Sequence, residues 1–384
     1  MTRRRAVIAL AAVTAVTAVA AAGRAENQRT IAGSLQLDYL VVPTDPQARL
    51  TTLDGMTAEL SLKLSVDFTS NASASVKLCF ACHGFEAAGA FIDLRAADEL
   101  SLRVGRLTPE FGSFPMRGDP ANHLSNDKPL PYDMGRMLHH TEWNEGILPA
   151  PWVDNGLELL GTRFVGAGRV DYAAFILSGP KGAADAADLD FIASRQPDRY
   201  YVDNNSEPVV GARLSGTADF DSAGHGVTFG ASFMAGHYDP DRHLGFVIGG
   251  ADVVVNLDAV VLRAEYLARR TDMAIGTDPA MRWKYGPGPD GRYDDHFFKH
   301  GFYAETEIPI GRVDAFLRFD GLLRFGNVLG MTNPMSSRSR LLRYTAGAAI
   351  RINDNIRLKT SAEYYQSSDL GNDLALHIGI ATPF

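Results

Sequence analysis

Past its first two dozen residues the chain alternates apolar and polar side chains with period two, which predicts strands with one greasy and one polar face. In "MTAELSLKLSVDF" the apolar set is Met56, Ala58, Leu60, Leu62, Leu64, Val66 and Phe68, while Thr57, Glu59, Ser61, Lys63, Ser65 and Asp67 share the other face. In "IRLKTSAEYY" Ile356, Leu358, Ala362 and Tyr364 oppose Arg357, Lys359, Ser361 and Glu363. "AVVLRAEYLARR", "HGFYAETEIPI", "RVDAFLRFDG" and "RLLRYTAGAAIRI" repeat the pattern. The spacing predicts sixteen strands, over 34–43, 56–68, 74–80, 86–96, 99–108, 156–166, 168–179, 207–220, 226–238, 244–256, 258–270, 298–309, 312–326, 339–352, 356–367 and 373–384. The fold class is all-β.

A soluble sandwich also alternates, so the load on the polar face decides between architectures. Here that face is rich in Arg, Lys, Glu and Asp on strands of about ten residues, and the connections are alternately short and long. Gly311-Arg312 and Asp354-Asn355 are tight turns, whereas 181–205 and 271–295 are long segments. Short turns at one end, long loops at the other and a charged inner face predict a transmembrane antiparallel β-barrel. Closure satisfies every backbone polar group in lipid, and about sixteen strands leave an aqueous channel rather than a filled core. The first and last strands, 34–43 and 373–384, are expected to pair, with 181–205 and 271–295 facing outward.

The N-terminus changes the picture by adding an address. Arg3, Arg4 and Arg5 precede an apolar run from Ala6 to Ala22 and then small residues, the layout of a secretory signal over residues 1–25, with the barrel at 26–384. Removing 1–25 takes away four arginines and no acid, leaving 33 basic against 45 acidic side chains, a net charge near −12 before histidine. A chain so acidic is a poor general binder of nucleic acid. No later segment is long and apolar enough for a membrane helix, since even "GFVIGGADVVVNLDAVVL" holds Asp252, Asn256 and Asp258.

The chain ends "LALHIGIATPF", with Leu374, Leu376, Ile378 and Ile380 outward and Phe384 terminal. A terminal phenylalanine closing an alternating strand resembles the assembly signal of Gram-negative outer-membrane proteins. "DELSLRVGRLTPEFG", Asp98 to Gly112, resembles a strand of the phosphate-selective porins O and P ahead of their long loop. The resemblance implies a porin in outer-membrane lipid, a homo-oligomer such as a trimer, passing small hydrophilic solutes or ions and carrying out no enzymatic step. It also implies that the third loop, roughly 108–155, folds into the barrel and narrows it. Loops this long are functional far more often than idle. The expected eyelet sets loop acids Asp119, Asp133 and Glu142 against lumen cations Arg103, Arg263, Arg318, Arg343 and Arg357, and opposed charges across a bore sieve polar solutes. Phosphate selectivity in that family comes from ladders of Arg and Lys. Here acids such as Asp38, Glu59, Asp252, Glu265, Glu305, Asp320 and Glu363 share the lumen face, which points to a mixed or cation-leaning pore.

Both cysteines of the chain lie in "VKLCFACHGFE", as Cys79-Phe-Ala-Cys82-His83. Three chemistries fit this spacing. A local Cys79–Cys82 disulfide suits an oxidising compartment. Covalent haem c would take both thiols as thioethers and His83 as iron ligand, a combination that resembles fused monohaem cytochrome–porins, although in those the motif precedes the barrel. The outer-membrane protein would then transfer electrons. Another metal site would have only three local ligands. "GPGPDG", Gly286 to Gly291, fits G-x-G-x-x-G without the strand-to-helix context of a dinucleotide site and reads as a turn. His225, His237 and His377 read as satisfied polar residues.

Overall fold

The computed structural model describes residues 28–43, 55–81, 84–133, 146–148, 150, 152–180, 202–221, 224–272, 296–325, 338–369 and 371–384. The chain forms sixteen strands: β1 (Gln28–Val41), β2 (Met56–Thr69), β3 (Ala72–Ala81), β4 (Gly84–Ala97), β5 (Leu100–Leu107), β6 (Asp154–Val165), β7 (Gly168–Leu177), β8 (Val209–Asp219), β9 (Gly226–His237), β10 (Gly245–Asn256), β11 (Val261–Asp272), β12 (His296–Ile310), β13 (Val313–Phe325), β14 (Arg338–Arg351), β15 (Arg357–Ser367) and β16 (Asp373–Pro383). Each pairs antiparallel with its sequence neighbours, and β1 pairs with β16 to close the barrel.

Closure follows the expected pairing, with Ser34 opposite Pro383 and Val41 opposite Leu376. β1 nevertheless begins six residues earlier than the alternation predicts. Gln28–Ala32 pair only with Asp67–Lys63 of β2, and this one-sided stretch carries no regular apolar face for a pattern to detect. The terminal residue is tied in as well: Gly33 N donates to Phe384 O at 2.7 Å and Phe384 N to Gly33 O at 3.0 Å. The Phe384 ring lies where a Cβ on residue 33 would be, so only glycine leaves it room.

The period-two pattern sorts the faces. Leu60, Leu64 and Phe68 of β2, Val76 and Phe80 of β3, Leu214 of β8, Phe229 and Phe233 of β9, Leu317 of β13 and Leu376, Ile378 and Ile380 of β16 are exposed on the outside. A belt of this extent on a closed sheet suits hydrocarbon rather than water. Inside, the alternate positions are polar at the short-turn end and mid-barrel. At the end where the long connections emerge many become apolar: Phe175, Leu177, Val209, Met234, Phe246, Ile248, Leu267, Leu322 and Leu341 are buried there, beside the buried Arg269, Lys299 and Arg324. The reason is the segment between β5 and β6. Its Phe111, Phe114, Leu130, Tyr132, Ile147, Leu148 and Trp152 pack into the lumen and form one core with those wall residues.

Candidate functional site

The third loop enters the barrel through a glycine. Gly112 has φ +70°, and a Cβ there would overlap the Tyr132 hydroxyl, so the turn that starts the loop needs this residue. Gly112 N donates to Ser232 Oγ at 2.9 Å and Ser113 N to Glu265 Oε1 at 2.9 Å, while the Tyr132 hydroxyl donates to the same Glu265 carboxylate. Three 3-10 turns, at Phe114–Arg117, Pro120–Asn122 and Leu130–Tyr132, each start on or beside a proline. Proline sets φ and removes a donor, so such turns leave carbonyls free to face the wall.

The wall cations take those carbonyls. Arg343 Nη2 donates to Lys128 O at 2.6 Å, Arg318 Nη1 to Asp127 O at 3.1 Å and Arg357 Nη1 to Ala121 O at 3.4 Å. Lys359 Nζ donates to Pro120 O and, at 3.2 Å, to Ser125 O. Wall acids take loop N–H groups in return: Leu130 N donates to Asp320 Oδ2 at 2.9 Å and Glu110 N to Glu158 Oε1 at 2.6 Å. No residue type marks a backbone carbonyl in a sequence, which is why these partners were invisible there. Alternation alone could have placed Gln36 with Asp38 on the lumen face, where Gln36 Nε2 donates to Asn126 O at 3.0 Å.

The expected eyelet residues divide into two groups. Arg318 and Arg343 are buried between loop and wall. Arg343 Nη2 lies 2.6 Å from Asp320 Oδ2, and its Nη1 is 3.3 Å from Glu363 Oε2 and 3.9 Å from Asp133 Oδ2. Asp133 thus lies against Arg343 at close range rather than across an open bore from it. Arg263 is bound by Glu307, with Glu305 at 3.8 Å. The second group keeps contact with the lumen. Asp119 of the loop meets Lys77 Nζ of β3 at 2.6 Å. Arg103 of β5 binds Asp93 Oδ1 at 2.9 Å and Glu158 Oε2 at 3.1 Å, with its guanidinium 4.7 Å from the centre of the Phe91 ring.

Exposure separates the walls. Lys77, Asp119, Arg103, Asp93, Arg169 and Asp171 are 20–50% exposed on β3–β7 and the facing loop. Arg318, Asp320, Arg343 and Glu363 on β13–β15 are at most 1% exposed. Arg106 and Glu158 at the loop's root are buried exceptions on the first side, and Arg351 at the short-turn end of β14, 42% exposed, is an exception on the second.

Some expectations fall outside the described residues: the signal segment 1–25, Glu142, Cys82 and His83, most of 181–205 and all but two residues of 271–295. Cys79 is described, near the end of β3 opposite Ser61 of β2 and Glu86 of β4, on the same face as Lys77. In the loop, burial first, and then Lys359, Arg117, Lys128 and Arg318, hold the His123 imidazole well below its usual pKa, so it is neutral. Burial pushes the Glu110 carboxyl up.

The barrel has the fold of Gram-negative outer-membrane porins. The anion-selective porin from Comamonas acidovorans matches with a TM-score of 0.57 and 11% identity, over 94% of this chain and 100% of that one. OmpF of Salmonella typhi, solved in complex with daunomycin, matches with a TM-score of 0.57 and 12% identity, over 93% of this chain and 98% of that one. A trimer form of OmpT from Vibrio cholerae matches with a TM-score of 0.51 and 7% identity, over 94% and 100%. No family model matches the chain, and no curated protein matches it in sequence.

Proposed function

We propose that the protein is an outer-membrane porin whose water-filled path runs between the third loop and the β3–β7 wall, admitting small hydrophilic solutes and ions. The observation that carries this reading is the one-sided burial of lumen charge. At mid-barrel on β13–β15 the loop seals Arg318, Asp320, Arg343 and Glu363 from water, whereas Lys77, Asp93, Arg103, Asp119, Arg169 and Asp171 retain water contact. A charged side chain that keeps solvent on the inner face of a closed barrel marks where the bore is wet.

Those six comprise three bases and three acids, arranged as close pairs. Such a lining gives local transverse fields with little net charge, hence weak selectivity between ions. Anion selectivity, stated of the Comamonas acidovorans porin, is not carried over, because each base of this lining is matched by an acid. Assembly as a homo-oligomer in the outer membrane, with the Vibrio cholerae OmpT trimer as precedent, belongs to the same reading.

Single-channel recording in planar bilayers tests it. Folded protein should give ohmic steps with a small reversal potential in a salt gradient. Silence from folded protein, alongside a conducting control, would end the open-pore reading.

A further inference from the structure

Among the described residues, the contact between loop and wall brings Asp127, Glu363 and His377 together, all buried, with one ligating atom of each within 4.8 Å of the others. The three come from different places: Asp127 from the third loop, Glu363 from β15 and His377 from β16. An ion held by them would therefore tie the loop to the barrel.

The imidazole is set up as a ligand. His377 Nδ1 donates to Asp38 Oδ2 at 2.8 Å, and Asp38 Oδ1 accepts from Asn126 Nδ2 at 2.7 Å. A carboxylate on Nδ1 fixes the proton there and leaves the lone pair on Nε2, the arrangement that outer carboxylates impose on metal-bound histidines. Nε2 is buried and has no hydrogen-bond partner. It points at Asp127 Oδ2, 3.6 Å away, and Glu363 Oε2, 3.8 Å away. Those separations are too long for hydrogen bonds. They suit neighbouring ligands on one ion, which lie about 3–4 Å apart when each bond is about 2.0–2.2 Å. Glu363 Oε1 is also buried without a hydrogen-bond partner.

Charge favours a cation there as well. Asp38, Asp127, Asp133, Asp320 and Glu363 meet in this contact, and the bases beside them are Arg318, Arg343 and Lys359. With a neutral imidazole the carboxylates exceed the bases by two. Arg343 is the nearest competitor, its Nη1 3.3 Å from Glu363 Oε2 and 3.8 Å from Asp127 Oδ2, and the Tyr365 hydroxyl donates to Glu363 Oε2 at 2.7 Å. Arg343 is also bound to Asp320 and to Lys128 O, so its position is held independently of the ion.

We propose that Asp127, Glu363 and His377 bind one divalent cation of the Zn²⁺ class, with Asp38 positioning the imidazole, and that this ion clamps the third loop to β15 and β16. Imidazole with two carboxylates suits zinc and its first-row neighbours, whereas calcium and magnesium favour all-oxygen sites.

The test uses the full-length folded protein in detergent, stripped with chelator and dialysed against Zn²⁺, Mn²⁺ or Ca²⁺ alone, with bound metal measured by mass spectrometry. His225, which lies between Asp221 and Asp258, is replaced by alanine in every sample to remove a competing surface site. One Zn²⁺ per chain is expected, with Ca²⁺ absent. His377→Ala should lower Zn²⁺ affinity at least 100-fold. Asp38→Asn should lower it 10- to 100-fold without abolishing it. Zn²⁺ should also raise the temperature of the heat-induced gel-mobility shift in the parent protein but not in Asp127→Asn, which leaves the wall intact. A folded parent protein that takes up no Zn²⁺, or an Asp127→Asn or His377→Ala protein that retains full stoichiometry and affinity, would overturn the proposal. If His377→Ala fails to fold, the parent stoichiometry and the Asp127→Asn affinity decide it.

Discussion

The β3–β7 wall and the β13–β16 wall are written in the same alternating code, yet their inner charges live in different media. Arg103 and Arg343 illustrate this. Both are strand arginines on the lumen face, and both bind two carboxylates. Arg103 keeps a fifth of its side chain in contact with water, whereas Arg343 has none exposed. Around Arg103 the solvent screens the pair with Asp93, which contributes little to stability, while Glu158 meets the guanidinium from the buried side. Around Arg343 the loop has excluded the solvent. Each ion there depends on its partners, and the network acts as an anchor rather than as a lining. The difference arises from which side the loop leans on, and one lumen thereby serves two purposes.

The sharpest way to break the comparison is to neutralise the anchor. Arg343→Met leaves Asp320 and Glu363 buried without their main counter-charge, and removing one partner of a buried pair costs about 3–5 kcal/mol. The heat-induced mobility shift should move to markedly lower temperature and the channel should become noisy as the loop detaches. An unchanged shift would mean that the network does not hold the loop.

A middle-sized effect comes from pH. His123 is buried in the loop, with a pKa held well below its usual value by burial and by Lys359, Arg117, Lys128 and Arg318. Because the undocked loop binds the proton more readily, docking is at full strength above about pH 6.5 and weakens as pH falls, by about 1.4 kcal/mol for each pH unit down to the folded pKa. Closures or noise in bilayer records should increase between pH 7 and pH 5, and His123→Phe should flatten that dependence. A His123→Phe trace as acid-sensitive as the parent would assign the effect to other groups.

The smallest effect belongs to the open wall. Lys77→Gln should change stability by less than about 1 kcal/mol, because both partners of its pair with Asp119 keep water contact. One charge acts on an ion about 7 Å away in water with about 0.6 kcal/mol. The charge acts with opposite sign on cations and anions, a difference of about 1.2 kcal/mol, so the reversal potential should shift toward cations by about sevenfold in permeability ratio at low salt and less as salt screens it. A large loss of stability with no shift in selectivity would place Lys77 in the anchor instead.

What the sequence determined by itself is the barrel. Period-two alternation reports burial on one face and is a local property, so sixteen strands, their order, the pairing of 34–43 with 373–384 and the outward apolar belt were all legible. The limit lies at Gln28–Ala32, where a strand paired on one side has no periodic face to read. The loop's length marked it as functional, the porin resemblance implied a constriction element, and its acids could be named. Which wall it would dock against could not, because the docking bonds run to carbonyls of Pro120, Ser125, Asp127 and Lys128 that no side-chain pattern encodes. The same holds for His377, which read as a satisfied polar residue. Its Asp38 partner stands 339 positions away and meets it only because closing the barrel sets β1 beside β16. Separations of that length are set by closure and by loop docking, and only the tertiary structure decides what they bring together.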